Sequence, residues 1–329
     1  MPNKKRIPPV CCRSEECPLR GMRHSGIHIH AYQKNGEIIH KCTLSGKTFS
    51  PRKGTPFANM KRKPKELIQA MKLVSRGTKE AAIIDALEIT QKTLNRWIEK
   101  AAEHCGRFIA AQFVNLKCKA LQFDEIKSYE GKKDNELWIW QAIDPKSKLW
   151  LHVQVTRSRD GSNASRIVRK VWRMIKEPEM VAIISTDGLQ QYETPVLHCF
   201  KNAAYVQIIK EWGTDGPMEI KRKVITGESM EYAKRMFEKY EAGKGANTAY
   251  TERLNGTIRA YVSRLIRRTY GYAKSIRRLQ QILIVAQCAY NFLRAHRTLS
   301  KGRGKTTPAM AAGLADHALT WDELFHAIV

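Results

Sequence analysis

Three acidic residues, far apart along the chain, hold positions where a carboxylate needs a partner. Asp124 lies within "ALQFDEIKSY", a stretch that alternates like a strand. Asp187 closes "VAIISTD", a continuous apolar run that suits a strand buried on both faces. Glu252 heads the helical pattern "TAYTERLNGTIRAYVSRLIRR", in which Leu254, Ile258, Tyr261 and Leu265 share one face. Asn255, Arg259 and Ser263 share the face of Glu252. From Arg253 to Lys305 there are thirteen Lys/Arg and no Asp or Glu. A carboxylate in or beside a core is costly unless paired, and converging carboxylates repel one another. A divalent cation resolves that conflict. Mg²⁺ (or Mn²⁺) suits it, because it accepts a few carboxylates and keeps places for water and phosphate oxygens. Two such ions, roughly 3.5–4 Å apart, clamp an in-line displacement at phosphorus. One activates the attacking hydroxyl or water and the other stabilises the leaving oxygen. The cations behind Glu252 then grip the phosphates of the substrate.

Each acid alone has a plainer reading. Asp187-Gly188 is a common turn signal. Asp124 next to Glu125 suits the solvent face of an edge strand. Glu252 suits the positive end of a helix dipole. Their order among strands and helices favours the metal site. Three strands ("ALQFDEIKSY", "ELWIWQAI", "LWLHVQVT", the last two joined by "DPKSK") precede a helix in "SNASRIVRKVWRMIK". That helix carries Ile167, Val171, Met174 and Ile175 inward. The strands "VAIIST" and "AAYVQIIKEW" follow, then a basic, less patterned stretch over 213–245, then helices. This is the order of a ribonuclease-H-like α/β domain, placed here at 115–298, with a tail at 299–329.

Two modules precede it. Residues 57–110 read as three short helices. The first is closed by Gly77, the second is capped by Thr78, and the third is capped by Thr90 with Leu94, Trp97, Ile98 and Ala101 inward. Gln91, Lys92, Asn95 and Arg96 face outward and suit base edges and phosphates, so the segment reads as a helix-turn-helix. A plain three-helix bundle with a solvated face fits the same pattern. Residues 1–56 hold Cys11, Cys12, Cys17 and Cys42, many histidines and a short hairpin in "GEIIHKCTLSGKTFS". So small a module needs a staple such as a metal.

Bulk composition agrees. With 329 residues and 43% hydrophobic, the chain has material for two or three domains. A net charge of +27 calls for a polyanionic partner, and nucleic acid fits best. Residues 1–63 alone carry fourteen Lys/Arg against three Glu. An anionic membrane is the weaker alternative, because no segment reaches the ~20 apolar residues a span needs. No secretory leader is visible, so the eight cysteines read as reduced and the location as cytoplasmic.

The segments "FDEIKSYEGKK…LWIWQAID", "TRSRDGSNAS", "ISTDGLQQY", "NTAYTERLNGTIR…RRTYGYAKS" and "YNFLRAHRTL…TTPAMAAGL" resemble the DDE transposases of the insertion sequence one family. The resemblance runs from about residue 11 to 315. It implies a DNA transposase with Asp124, Asp187 and Glu252 as the metal-binding triad, cutting at element ends and joining 3′ ends to target DNA. It further implies DNA contacts at Asn255 and Arg259, and more weakly at Arg253 and Arg267. A homodimer or larger assembly on DNA follows from the need to hold two ends. It also implies a zinc ribbon, for which Cys12, Cys17 and Cys42 are present. The expected fourth cysteine falls at Ser45. His24, His28 or His40 could replace it, or Cys11 could shift the register. A domesticated DNA-binding regulator without transposition activity is the alternative.

Overall fold

The computed structural model describes residues 10–33, 37–211, 219–226, 229–240, 248–266, 271–300 and 304–329. Strands β1 (Ile27–Tyr32), β2 (Ile38–Cys42) and β3 (Thr48–Phe49) form a small antiparallel sheet. β2 and β3 are the hairpin expected from sequence, and β1 is added to it. Cys12, Cys17, Cys42 and Phe49 are its buried centre.

Three helices follow: α1 (Pro64–Val74), α2 (Glu80–Ala86) and α3 (Gln91–Gln112). Pro64 opens α1, where its missing N–H costs nothing. Thr90 caps α3 by accepting from the Thr93 N–H, and Leu94, Trp97, Ile98 and Ala101 are buried, as the periodicity requires. The cap expected at Thr78 is absent. α2 starts one residue later, after Lys79, with no side-chain cap. The reason lies in Gly77, whose φ of +76° turns the chain sharply after α1.

The main sheet has six strands: β4 (Ala120–Glu130), β5 (Lys132–Ile143), β6 (Trp150–Thr156), β7 (Ile183–Asp187), β8 (Ala204–Glu211) and β9 (Glu219–Val224). Their spatial order is β6-β5-β4-β7-β8-β9. β4, β7 and β8 run parallel, and β5, β6 and β9 are antiparallel to their neighbours. The mixed sheet with flanking helices is consistent with a ribonuclease-H-like core. α4 (Gly161–Trp172) and α5 (Glu193–Cys199) cover the face to which Phe123 points, where its ring meets Tyr192. The stretch 213–245, read from sequence as basic and less patterned, supplies β9 and α6 (Met230–Tyr240). Ala233 and Phe237, one helical turn apart, bury against Ile183, Val206 and Ile208.

On the other face, α7 (Ala249–Tyr261) crosses β4, and α8 (Ile276–Cys288) packs on β6 and along α3. Short helices α9 (Pro308–Ala311) and α10 (Trp321–His326) complete the chain. The buried His104 on α3 bonds the Leu324 carbonyl through Nε2 at 2.8 Å, and Phe325 meets Phe57 edge-on. Helices α1–α3, the sheet and the C-terminal segment share one continuous apolar core.

The end of α7 is tied to the α1–α2 turn. A Cβ on Gly77 would lie 2.5 Å from the Ala260 carbonyl oxygen. Arg264 pairs with Glu80 at 3.4 Å. Arg294 lies over the Tyr261 ring at 3.8 Å and donates to the Ser75 carbonyl and, at 3.1 Å, to its hydroxyl.

Candidate active site

β4 and β7 are adjacent parallel strands paired Ala120 to Ile183, Leu121 to Ile184 and Gln122 to Ser185. Continuing that register sets position 124 opposite 187. The pairing stops at Gln122, so the chains part where the two aspartates stand. Carboxylate oxygens of Asp124, Asp187 and Glu125 all lie within 4.8 Å of one another. Two of the three expected acids are therefore brought together, and Glu125 joins them. Adjacent strand residues face opposite sides of a sheet. Sequence alternation accordingly assigns Glu125 to the far face, but its longer side chain reaches the group.

Glu252 lies outside that 4.8 Å cluster. It is exposed on the first turn of α7, where Oε1 accepts from the Thr248 hydroxyl at 2.9 Å. The helix itself is pinned to β4 at two points. The Thr251 N–H donates to Gln122 Oε1 (3.1 Å), and Asn255 Nδ2 donates to Asp124 Oδ2 (2.8 Å). Two residues of strand span about 6.6 Å and four of helix about 6 Å, so the 122/124 and 251/255 pairs match in length. Asn255 is thus placed on a carboxylate of the cluster.

Burial pushes the Asp124 carboxyl up to about 7, with repulsion from Asp187 and more weakly from Glu252 adding to it. Hydrogen bonds from the Glu125 N–H and Asn255 oppose this. Burial, then Asp187, pushes Glu125 up to about 8, while Arg159 pulls it down. Arg159 precedes α4, whose N-cap is Asp160. Its Nε donates to Glu125 Oε1 at 3.1 Å and its Nη2 to Asp187 Oδ2 at 2.9 Å. Its guanidinium also lies 4.8 Å from the Trp138 ring centre. The only hint of Arg159 in the sequence was its place in "TRSRDGSNAS"; a cation there otherwise reads as loop charge.

The residues fit a hard divalent ion. All donors are oxygens, and their mutual repulsion is only partly relieved by one guanidinium. Glu125 Oε2 is buried with no hydrogen-bond partner, and so is the Tyr192 hydroxyl beside the cluster.

The remaining expected residues are dispersed. Lys92 and Arg96 are exposed at the start of α3. Asn95 is half-buried, with its side chain accepting from Gln91 and its carbonyl from Arg278. Arg253 is exposed and Arg259 half-buried on α7. Arg267 lies outside the described residues.

In the small sheet, sulfurs of Cys12, Cys17 and Cys42 lie within 4.8 Å of one another. The Cys17–Cys42 separation is 3.7 Å, and His24 Nε2 is 3.8 and 3.6 Å from those two sulfurs. With Zn–S near 2.3 Å, a tetrahedral site has edges of about 3.6–3.8 Å. Ser45 Oγ is 3.4 Å from Cys12 Sγ. His40 instead stacks on Phe49, and His28 is exposed. The three cysteines could hold a structural zinc.

No family model and no curated protein matches the chain. Among solved structures, it is similar to a chain of the cryo-electron microscopy structure of a simian T-cell lymphotropic virus intasome in complex with PP2A regulatory subunit B56 gamma. The identity is 10%, with 74% of this chain and 71% of that chain covered and a TM-score of 0.30. So distant a likeness carries no weight for function. No helix among the described residues is long and apolar enough to cross a membrane.

Proposed function

We propose that this chain is a metal-dependent DNA transposase of the DDE type, related to the insertion sequence one enzymes. It would cut DNA at element ends and join the freed 3′ ends to target DNA. The observation that carries this reading is the meeting of Asp124, Glu125 and Asp187 oxygens where two adjacent parallel strands part. A basic helix, pinned to one of those carboxylates by Asn255, lies alongside.

Asp124 and Asp187 would hold the metal, with Glu125 or Glu252 as the third acid. Mg²⁺ or Mn²⁺ bound there would supply Lewis-acid stabilisation of charge at phosphorus and a nucleophile at neutral pH. Asn255 fixes the orientation of Asp124. Arg253 and Arg259 would hold phosphates near the acids, and Lys92, Asn95 and Arg96 would contact DNA at the start of α3. Cys12, Cys17 and Cys42 would bind zinc, with His24 as the fourth ligand. The Gly26 N–H points at His24 Nδ1 (3.2 Å), so ligation through Nε2 moves the ring proton to Nδ1 and sacrifices that contact. Two copies would bring two ends together.

The test is cleavage of a duplex carrying the DNA that flanks the gene, in Mg²⁺. Asp124→Asn and Asp187→Asn should each abolish cutting and leave DNA affinity intact. Comparing Glu125→Gln with Glu252→Gln identifies the third acid as the one whose loss stops cutting. Undiminished cleavage by Asp187→Asn, or cleavage that persists in excess chelator, rejects the mechanism.

A further inference from the structure

α4 presents a strongly cationic flank that the chemistry above does not use. Two adjoining hollows, of about 670 and 530 Å³, lie along it and share Arg169 and Arg173. Arg166 and Lys170 line the second and Lys201 the first. Against these five cations the lining holds one acid, Glu179. Elsewhere the excess charge is partly compensated: Arg157 pairs with Glu130, Arg264 with Glu80 and Arg277 with Glu99. Among the described residues none of the five makes an ion pair or a side-chain hydrogen bond. Trp172, 40% exposed, opens into the larger hollow between them.

The negative end of the α4 dipole favours a cation or two in the last turn. It explains neither five cations nor their place around a concave surface with an exposed indole. Uncompensated cations around a concave surface are the chemistry that grips a phosphodiester backbone.

Position separates this surface from the carboxylates. Asp124 and Gln122 reach α7 on one face of the sheet, whereas α4 lies on the other. The N-terminal end of α4 adjoins Arg159 and the acids, while the larger hollow is at its C-terminal end, about 18 Å away along twelve residues of helix. We infer that the α4 flank is a second binding site for the backbone of duplex DNA, apart from the stretch that lies over α7. A strand-transfer enzyme must hold two duplexes. The inference rests on the reading of this chain as one.

The experiment measures affinity of the full chain for a fluorescent 40-base-pair duplex as a function of KCl, without Mg²⁺. Arg169→Gln/Arg173→Gln is compared with Lys234→Gln/Arg235→Gln, an exposed pair on α6. Each phosphate contact contributes about 0.9 to the slope of log K against log salt. The α4 variant should bind more weakly, with a slope shallower by about 2, while the α6 variant stays near wild type. Equal slopes for all three proteins overturn the site and leave the function standing. Loss of retention on an acidic polypeptide column with unchanged DNA binding overturns it too, in favour of an acidic protein partner. A wild-type chain with no duplex affinity removes both the site and the function.

Discussion

Arg159 is the side chain that a cation entering the acidic cluster would have to displace. It donates to Glu125 and Asp187 and rests on Trp138, so an incoming cation must compete with it. Charge-assisted hydrogen bonds contribute about 1.5 kcal/mol each, and 1.4 kcal/mol is tenfold in affinity. Arg159→Gln should therefore raise Mn²⁺ affinity by about tenfold or more, measured by calorimetry on the full chain, and lower the stability of the metal-free protein. Unchanged Mn²⁺ affinity would make Arg159 a structural residue alone. Asp124 and Asp187 were legible in the sequence because an acid in an apolar strand is an anomaly. Glu125 was not, since period-two alternation assigns it to the opposite face. The reach of a side chain around the end of a strand pairing is a property of the fold and leaves no mark in spacing.

Among the elements, α10 offers a pH-dependent contact. Burial above all, helped by Arg107 and Arg13, pushes His104 down to about 4. Its Nε2 bonds the Leu324 carbonyl and its Nδ1 is buried without a partner. The unfolded chain takes up a proton near pH 6.5 that the folded one refuses until about 4. Stability from this group is full above pH 6.5 and is lost as pH falls toward 4, by about 3 kcal/mol in all. His104→Gln keeps a donor and cannot titrate, so its melting temperature should fall less steeply than that of wild type over this range. The Cys-rich sheet makes a second prediction. Purified chain should carry about one zinc, His24→Ala should lose it and Ser45→Ala should keep it, by elemental analysis; the reverse result assigns Ser45. The hairpin and the helix at Thr90 were readable from turn residues and caps. β9 was not, because a short basic edge strand carries little periodic signal. α6 is amphipathic, with Ala233 and Phe237 on its buried face, but its helical period was passed over inside a stretch read as basic and less patterned.

In the molecule as a whole, the three-helix segment and the carboxylate-bearing sheet are joined by one apolar core and by the contact of Gly77 with α7. Gly77→Ala must adopt a positive φ and meet a backbone oxygen at 2.5 Å. It should cost more than about 1 kcal/mol in denaturant unfolding. A loss no larger than that at an exposed loop glycine would show the contact to be slack. The net charge of +27 pointed to a polyanion from composition alone, but how the modules pack on one another was beyond the reach of periodicity. α7 is fastened at one end to Gln122 and Asp124 and at the other to the turn that leads into α2 and α3. It works as a rigid strut between the surface that would read DNA and the oxygens that would cut it. If the α3 surface binds DNA as proposed, a tilt imposed there would be carried along α7 to Asp124, because both ends of that helix are fastened.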